Sequence, residues 1–341
     1  MKTLRESLQD RILLLDGAMG SLIQTYGLKE EDFQGKLELA EGTRVQGNND
    51  LLNLTRPDII SDIHRRYLEA GADIVTANTF NSQRISQAEY HCGHLVRQLN
   101  TEAVRLARQQ AKAFSTADKP RYVIATMGPT GKSLSISPDV NDPAYRSISY
   151  DELRDAYTEQ ATALLESGVD AILVETVFDT LNAKAALDAA VSAMHTTDIT
   201  VPLMLSITVN DRYGRILSGQ TIEALLASIS HFELLSVGLN CSFGAEDMLP
   251  SLRTLASVAP YYITAHPNAG LPNAMGQYDQ TPPVMAAQMQ QFVNEGLANI
   301  IGGCCGTTPE HIAAMLPLTT LNKPHIPVTK KALGYSIQLS G

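Results

Sequence analysis

The chain has 341 residues, four cysteines and a formal net charge of −10, with acids and bases interspersed. That length can bury a sizeable core in one large domain or two ordinary ones, while the acidic balance argues against a nucleic-acid partner. So few cysteines in so long a chain make no disulfide framework, which points three of them toward metal binding or catalysis. The first residues, M-K-T-L-R-E-S-L-Q-D-R, carry charges where a secretory leader needs an apolar segment, and no apolar run is long enough to cross a bilayer. A soluble, cytoplasmic protein with no membrane partner is expected.

Taken in chain order, short apolar runs of strand type alternate with amphipathic stretches of helical period. The runs fall at 12–15, 73–77, 122–126, 171–174, 203–207, 236–239, 261–265 and 299–301; the helical stretches fall at 57–70, 95–114, 150–167, 180–194, 221–232, 248–258, 283–295 and 309–316. Alternation of this kind predicts a parallel sheet with right-handed crossovers. Eight repeats select a closed (β/α)8 TIM barrel over an open doubly wound sheet, and no run is followed by the G-x-G-x-x-G of a dinucleotide-binding fold. The barrel is expected over 1–318. A long polar insertion at 24–56, after the first strand, is expected to have a function or substructure of its own. Residues 319–341, with Pro324, Pro327 and two adjacent lysines, read as a linker or tail.

In such barrels catalytic groups collect at the C-terminal ends of the strands. Those ends carry Asp16-Gly17-Ala18 on the first strand, Asn78 on the second, Glu175-Thr176 on the fourth, Asn240-Cys241 on the sixth, His266 on the seventh and Cys304-Cys305 on the eighth. Strands six and eight face one mouth across strand seven, so Cys241, Cys304 and Cys305 can converge. Successive side chains of a strand point to opposite faces, so both adjacent cysteines reach one ion only if the backbone bends; Gly302, Gly303 and Gly306, free to take positive φ, permit that. A bridge between neighbouring cysteines is geometrically poor. Three thiolates favour zinc with one coordination position open for a substrate thiol; a buried structural thiol or a closed structural zinc is the plainer reading. Cys92 is read as a helix-end or loop thiol.

Glu175 and Asp16 end apolar strands, where a buried carboxylate needs a partner. One or both could receive a substrate ammonium, or form an internal ion pair or loop cap. The D-G-A-M-G glycines could make a tight turn, or their amides could cradle a carboxylate. His266, beside a proline, is read as a hydrogen-bonded wall residue rather than a fourth ligand.

The combination D-G-A-M-G, G-A-D-I-V-T-A-N-T-F, V-E-T, G-L-N-C and G-G-C-C-G-T-T-P-E-H-I resembles the homocysteine methyltransferase family. Q-G-N-N-D-L-L, S-I-S-P-D-V-N-D-P, E-T-V-F-D-T-L-N-A-K and T-A-H-P-N-A-G-L-P-N are similar to the N-terminal homocysteine-binding module of cobalamin-dependent methionine synthase. The resemblance implies that Cys241, Cys304 and Cys305 are zinc ligands. It further implies that Glu175, assisted by Asp16, holds the substrate amino group, that the Gly17 and Ala18 amides meet its carboxylate, and that Asn78 and Asn240 line the same mouth. Ala77 stands where many relatives carry a glutamate, so no acid role is carried over there.

The implied chemistry is attack of a zinc-activated homocysteine thiolate on a methyl group, giving methionine. The implied donor is methylcobalamin, recharged from methyltetrahydrofolate. Both would be bound by other modules, in cis beyond the tail or in trans, because the D-x-H-x-x-G signature of cobalamin binding is absent; Asp62-Ile63-His64-Arg65-Arg66-Tyr67 ends in tyrosine. Competing readings are a stand-alone homocysteine methyltransferase using S-methylmethionine, S-adenosylmethionine or betaine, a non-catalytic zinc- or thiol-binding barrel, and a vicinal-dithiol redox protein.

Overall fold

Runs such as Leu13 to Leu15 and Tyr122 to Met127 are apolar on both faces, as strands covered on both sides must be. The computed structural model, which describes residues 2–40, 42–211 and 213–329, places them in one eight-stranded parallel sheet. The strands are β1 (Leu13–Leu14), β2 (Ile74–Ala77), β3 (Tyr122–Met127), β4 (Ala171–Val177), β5 (Leu203–Ile207), β6 (Ser236–Gly244), β7 (Tyr262–Asn268) and β8 (Ile300–Ile301). Each pairs with its sequence neighbour from β2 to β8, and β8 pairs with β1. A parallel bridge between Leu15 and Ile74, with hydrogen bonds from Asp73 N to Leu14 O (2.7 Å) and from Asp16 N to Ile74 O (3.0 Å), closes the ring. This is the expected (β/α)8 barrel. Each strand leads to an outer helix: Pro57–Glu69, Val96–Phe114, Tyr150–Glu166, Thr180–Thr197, Ile222–Ile229, Ala245–Val258, Pro282–Asn294 and Pro309–Leu321.

The barrel interior is filled by Leu13, Leu15, Ile74, Tyr122, Ile124, Ala171, Leu173, Met204 and Ile300. Its N-terminal end is stoppered by a helix that the periodicity reading passed over. Leu4–Asp10 is held by a capping box between Thr3 and Glu6 and inserts Leu4 and Leu8 into that interior cluster. The Tyr122 hydroxyl shares a 2.6 Å hydrogen bond with Ser7 beneath it. Arg11 binds Asp73 through two parallel bonds of 2.8 and 2.9 Å, and Asp73 also accepts from Leu14 N, so one buried carboxylate ties the starts of β1 and β2 together.

The segment 24–56 has substructure of its own. It contains the end of the helix Met19–Thr25, the helices Glu30–Gln34 and Leu52–Thr55, and a 3-10 turn at Asn49–Leu51. Phe33, Val45, Leu51 and Leu52 join the main core. The Q-G-N-N-D-L-L stretch is fastened to the loop after β2: Asp50 accepts from Asn81 N and Ser82 Oγ, and the Asn48 and Gln87 amides bond reciprocally. The last helix continues to Leu321, past the expected boundary at 318, and the chain after it returns to the barrel, where Asn299 Nδ2 donates to His325 O (2.8 Å). The rest of the expected tail, 330–341, lies outside the described residues. Among the described residues no helix is long and apolar enough to cross a membrane.

Candidate metal centre

β4, β6 and β7 run further than their apolar patterns, and the extra residues include Glu175, Cys241 and His266. In β4, β5 and β6 the residues two positions beyond apolar or small interior positions are Glu175, Ser206 and Asn240, so the lumen changes from apolar to polar toward its C-terminal end. Both β4 and β6 bulge there. The partners of Val174 and Val177 on β5 are Leu205 and Ile207, which leaves an extra residue at Glu175-Thr176. The partners of Asn240 and Gly244 on β7 are His266 and Asn268, which leaves extra residues around Cys241. Thr176 (φ 60°), Cys241 (φ 54°) and Ser242 (φ 60°) adopt left-handed backbone conformations that cost such residues about 1–3 kcal/mol each. Bulges of this kind re-aim side chains beside active sites, and here they aim Cys241 at the turn after β8.

That turn is held from several sides. Cys304 N donates to Pro267 O (2.8 Å), Cys305 N to Asn268 Oδ1 (3.1 Å), and Ala269 N to Cys305 O (2.9 Å). Thr307 Oγ donates to Cys304 O (2.7 Å) and accepts from Ala18 N (3.1 Å), while Gly306 N donates to Ser21 Oγ (3.0 Å). The three glycines that permit the bend contribute in two ways. Of the three, Gly306 alone has positive φ (77°), and a Cβ there would lie 2.2 Å from Tyr278 Cβ. Gly302 and Gly303 are instead required by close approach to Leu15 and Thr307.

The three sulfurs converge: Cys241 Sγ lies 2.7 Å from Cys304 Sγ and 3.8 Å from Cys305 Sγ, with all three within 4.8 Å of one another. Sulfurs about 2.3 Å from a tetrahedral zinc stand roughly 3.8 Å apart, so the 3.8 Å pair matches that spacing and the 2.7 Å pair is drawn closer. All four cysteines are free thiols, and Cys92 is buried elsewhere, not in this cluster. Hydrogen bonds from Cys241 and Cys304 hold the Cys305 thiol down to about 3, helped by Tyr278. The same sulfur contacts, followed by burial, push Cys304 well up. Cys241 also rises: its bond with Cys304 favours the thiolate, but Cys305 and burial outweigh it. Alone, the trio accommodates one negative charge, and a dication is what allows all three to ionise together. The donor set thus fits zinc.

Beside the sulfurs lie the two carboxylates. Asp16 is buried and accepts from Thr76 N (2.8 Å) and Thr76 Oγ1 (2.9 Å). Burial pushes its carboxyl up to about 8 against those bonds, and the Glu175 charge adds to the rise. Glu175 Oε1 stands 3.3 Å from His266 Nε2. Among the described residues no lysine or arginine pairs with Asp16 or Glu175, so the internal ion pair considered from sequence is not formed with a permanent cation.

The other expected residues are placed less uniformly. Asn240 Oδ1 accepts from Ser206 Oγ (2.6 Å), and its Nδ2 donates to Thr176 Oγ1 (2.8 Å) and approaches Cys304 Sγ (4.0 Å). Asn78 turns toward the insertion, donating to Asn49 O (2.9 Å) and Asn53 Oδ1 (3.1 Å). The Ala18 amide is engaged by Thr307, and a Cβ on Gly17 would lie 2.6 Å from Thr307 Oγ1, so close approach selects the glycine. His266 is buried in the wall, and among the described residues neither of its ring nitrogens has a hydrogen-bond partner, unlike the hydrogen-bonded wall residue expected. Sequence reasoning gave no role to Thr307, Asn268 or Tyr278. Thr307 lay in view inside G-G-C-C-G-T-T, whereas Tyr278 lies in a polar loop stretch with no period to flag it.

Residues 13–317 match the family described as homocysteine S-methyltransferase. Among solved structures, the metallated homocysteine methyltransferase MmuM from Escherichia coli is similar at TM-score 0.69 and 21% identity, covering 89% of this chain and 95% of that one. The oxidized form of MmuM gives TM-score 0.67 at 21% identity, covering 89% and 94%. These likenesses concern the fold, whereas the family match spans nearly the whole barrel. The chain belongs to the homocysteine S-methyltransferase family and is a methyltransferase.

Proposed function

We propose that this chain methylates the sulfur of homocysteine at a zinc site formed by Cys241, Cys304 and Cys305, as the homocysteine-binding part of a methionine synthase whose methylcobalamin is presented by another module. The observation that carries the reading is the pairing, in one mouth, of a three-sulfur cluster with two carboxylates that have no lysine or arginine partner among the described residues. A thiol amino acid matches both halves: its sulfur suits the metal's open position and its ammonium suits the acids.

When bound, zinc would supply Lewis-acid activation of the substrate thiol, whose unperturbed pKa near ~8.5 by analogy with cysteine leaves it mostly protonated at neutral pH. The chain's own residues do the rest. Asp16 and Glu175 receive the ammonium, and a cation beside Asp16 restores its charged form. Thr307 ties the D-G-A turn of β1 to Cys304, so the amino-acid end and the sulfur end of the substrate are held against one another. Asn240, braced by Ser206 and Thr176, presents an N–H toward the Cys304 sulfur. The Gly17 amide is proposed to meet the substrate carboxylate; Ala18 reaches it only by giving up Thr307. Asn78 acts indirectly, by fixing the insertion beside the mouth.

The donor assignment rests on the motif resemblance, and a donor screen tests it. Zinc-loaded protein is incubated with homocysteine and, separately, methylcobalamin, S-methylmethionine, S-adenosylmethionine or betaine. Methionine is expected with methylcobalamin and not with zinc and homocysteine alone. Methionine formed from betaine without any corrinoid contradicts the assignment and favours a stand-alone enzyme.

A further inference from the structure

Glu175 is on β4 and His266 on β7, with β5 and β6 between them in the sheet. Their 3.3 Å approach therefore crosses the lumen of the barrel. His266 is almost wholly buried, yet neither ring nitrogen has a hydrogen-bond partner among the described residues, and the Nε2 contact with Glu175 is close but misaligned. An imidazole that merely filled the lumen would leave both nitrogens desolvated and unpaired, an arrangement that costs stability and that an apolar side chain avoids. The polar ring is explained if the partners complete their geometry once the site is filled.

We propose that His266 is a positioning residue for substrate: its Nε2 takes the Oε1 edge of Glu175, so that the other carboxylate oxygen is turned to the α-ammonium of the thiol amino acid. The inference rests on the reading of Glu175 as the ammonium acceptor. His266 fixes one edge from across the mouth, and β4, bulged at Glu175-Thr176, supplies the freedom for the carboxylate to rotate onto the incoming cation. Backbone pairing of His266 with Asn240, whose side chain reaches toward Cys304, keeps the ammonium end in register with the sulfur end.

The test measures binding of three thiols to zinc-loaded protein by calorimetry: homocysteine, 4-mercaptobutanoate, which lacks the amino group, and 3-aminopropane-1-thiol, which lacks the carboxylate. Wild type, His266→Phe, His266→Gln, Glu175→Gln and the Glu175→Gln/His266→Phe double variant are compared, with zinc content and thermal midpoint recorded for each. His266→Phe is expected to weaken homocysteine and 3-aminopropane-1-thiol by roughly tenfold or more, as for a lost hydrogen bond to a charged group, and to leave 4-mercaptobutanoate within about twofold. His266→Gln, which keeps a donor, is expected to recover most of the loss, and the double variant to bind no worse than Glu175→Gln alone. Equal losses for all three thiols, or additive losses in the double variant, overturn the proposal. If Glu175→Gln itself does not distinguish thiols with and without an amino group, the reading of Glu175 as ammonium acceptor fails instead. Should His266→Phe not fold, the smaller His266→Leu takes its place and is read as fold-loss relative to wild type: a loss of the same factor for 4-mercaptobutanoate as for homocysteine, or no loss for either, overturns the proposal, and a loss confined to the two thiols that carry an amino group supports it.

Discussion

The two ends of this barrel obey different rules. At the N-terminal end the lumen is apolar, stoppered by Leu4 and Leu8, and its charges are matched: Asp73 is clasped by Arg11, with Arg121 a further 3.7 Å away. At the C-terminal end, among the described residues, Asp16 and Glu175 have no permanent cation and His266 has no hydrogen-bond partner, and Thr176, Cys241 and Ser242 hold strained backbone. One end is optimised for folding and the other is left unsatisfied, and the unsatisfied groups are complementary to a zwitterion with a sulfur tail. Such a division of stability and chemistry between the faces is common to barrels of this type.

Breaking either end should give opposite signatures, and the largest effect belongs to the mouth. Cys304→Ser is expected to abolish zinc retention and lower methyl transfer by about a thousandfold or more, the scale of losing several kcal/mol of Lewis-acid help, while the thermal midpoint of the zinc-free protein barely moves. Metal analysis and scanning calorimetry check both halves. At the other end, Leu8→Ala removes a fully buried side chain from the stopper and is expected to cost roughly 2–5 kcal/mol of stability. Zinc content and homocysteine affinity should be unchanged. A urea titration paired with binding measurements shows whether the ends are separable.

Two smaller changes sharpen the contrast. Gly306→Ala places a methyl group on Tyr278 at a left-handed position and is expected to weaken zinc binding by about tenfold or more through displacement of the Cys304-Cys305 turn; competition with a chelator reads this. The pH dependence of stability is subtler. An unfolded aspartate loses its proton near 4, whereas burial keeps Asp16 protonated to about 8 and Asp50 to about 7. Across that window the folded state binds more protons than the unfolded one, so stability falls as pH rises, with a slope of up to about 1.4 kcal/mol per pH unit for each group. Asp16→Asn should flatten the curve between pH 5 and about 8, and Asp50→Asn between pH 5 and about 7. Asp16→Asn alone should also weaken homocysteine binding. Denaturant melts of the metal-free protein over that range are the measurement.

The sequence was most legible where physics is repetitive. Eight apolar runs with helical stretches between them give the barrel, because strands covered on both faces must be apolar throughout. The thiols and the two carboxylates were legible as polar interruptions at strand ends. What could not be read was how the strand ends bend. β4 and β6 continue past Val174 and Leu239 through residues with no apolar period, and the positive φ of Thr176, Cys241 and Ser242 falls on residue types that rarely adopt it, so no glycine signalled the bulges. The stopper helix was missed for a different reason. Two apolar residues in one short turn make a weak period, although Thr3-x-x-Glu6 was a capping signal in plain view. Asn78 shows that a motif names a residue without its partners, since its side-chain amide donates to Asn49 and Asn53 of the insertion.

The most direct measurement is zinc-edge X-ray absorption of the metal-loaded protein with and without homocysteine. Three sulfur neighbours rising to four on addition of homocysteine is the expected result, with Cys241, Cys304 and Cys305 as the initial three. A sulfur count that stays the same when homocysteine binds, or a zinc already enclosed by four protein ligands that the thiol does not disturb, would contradict the account.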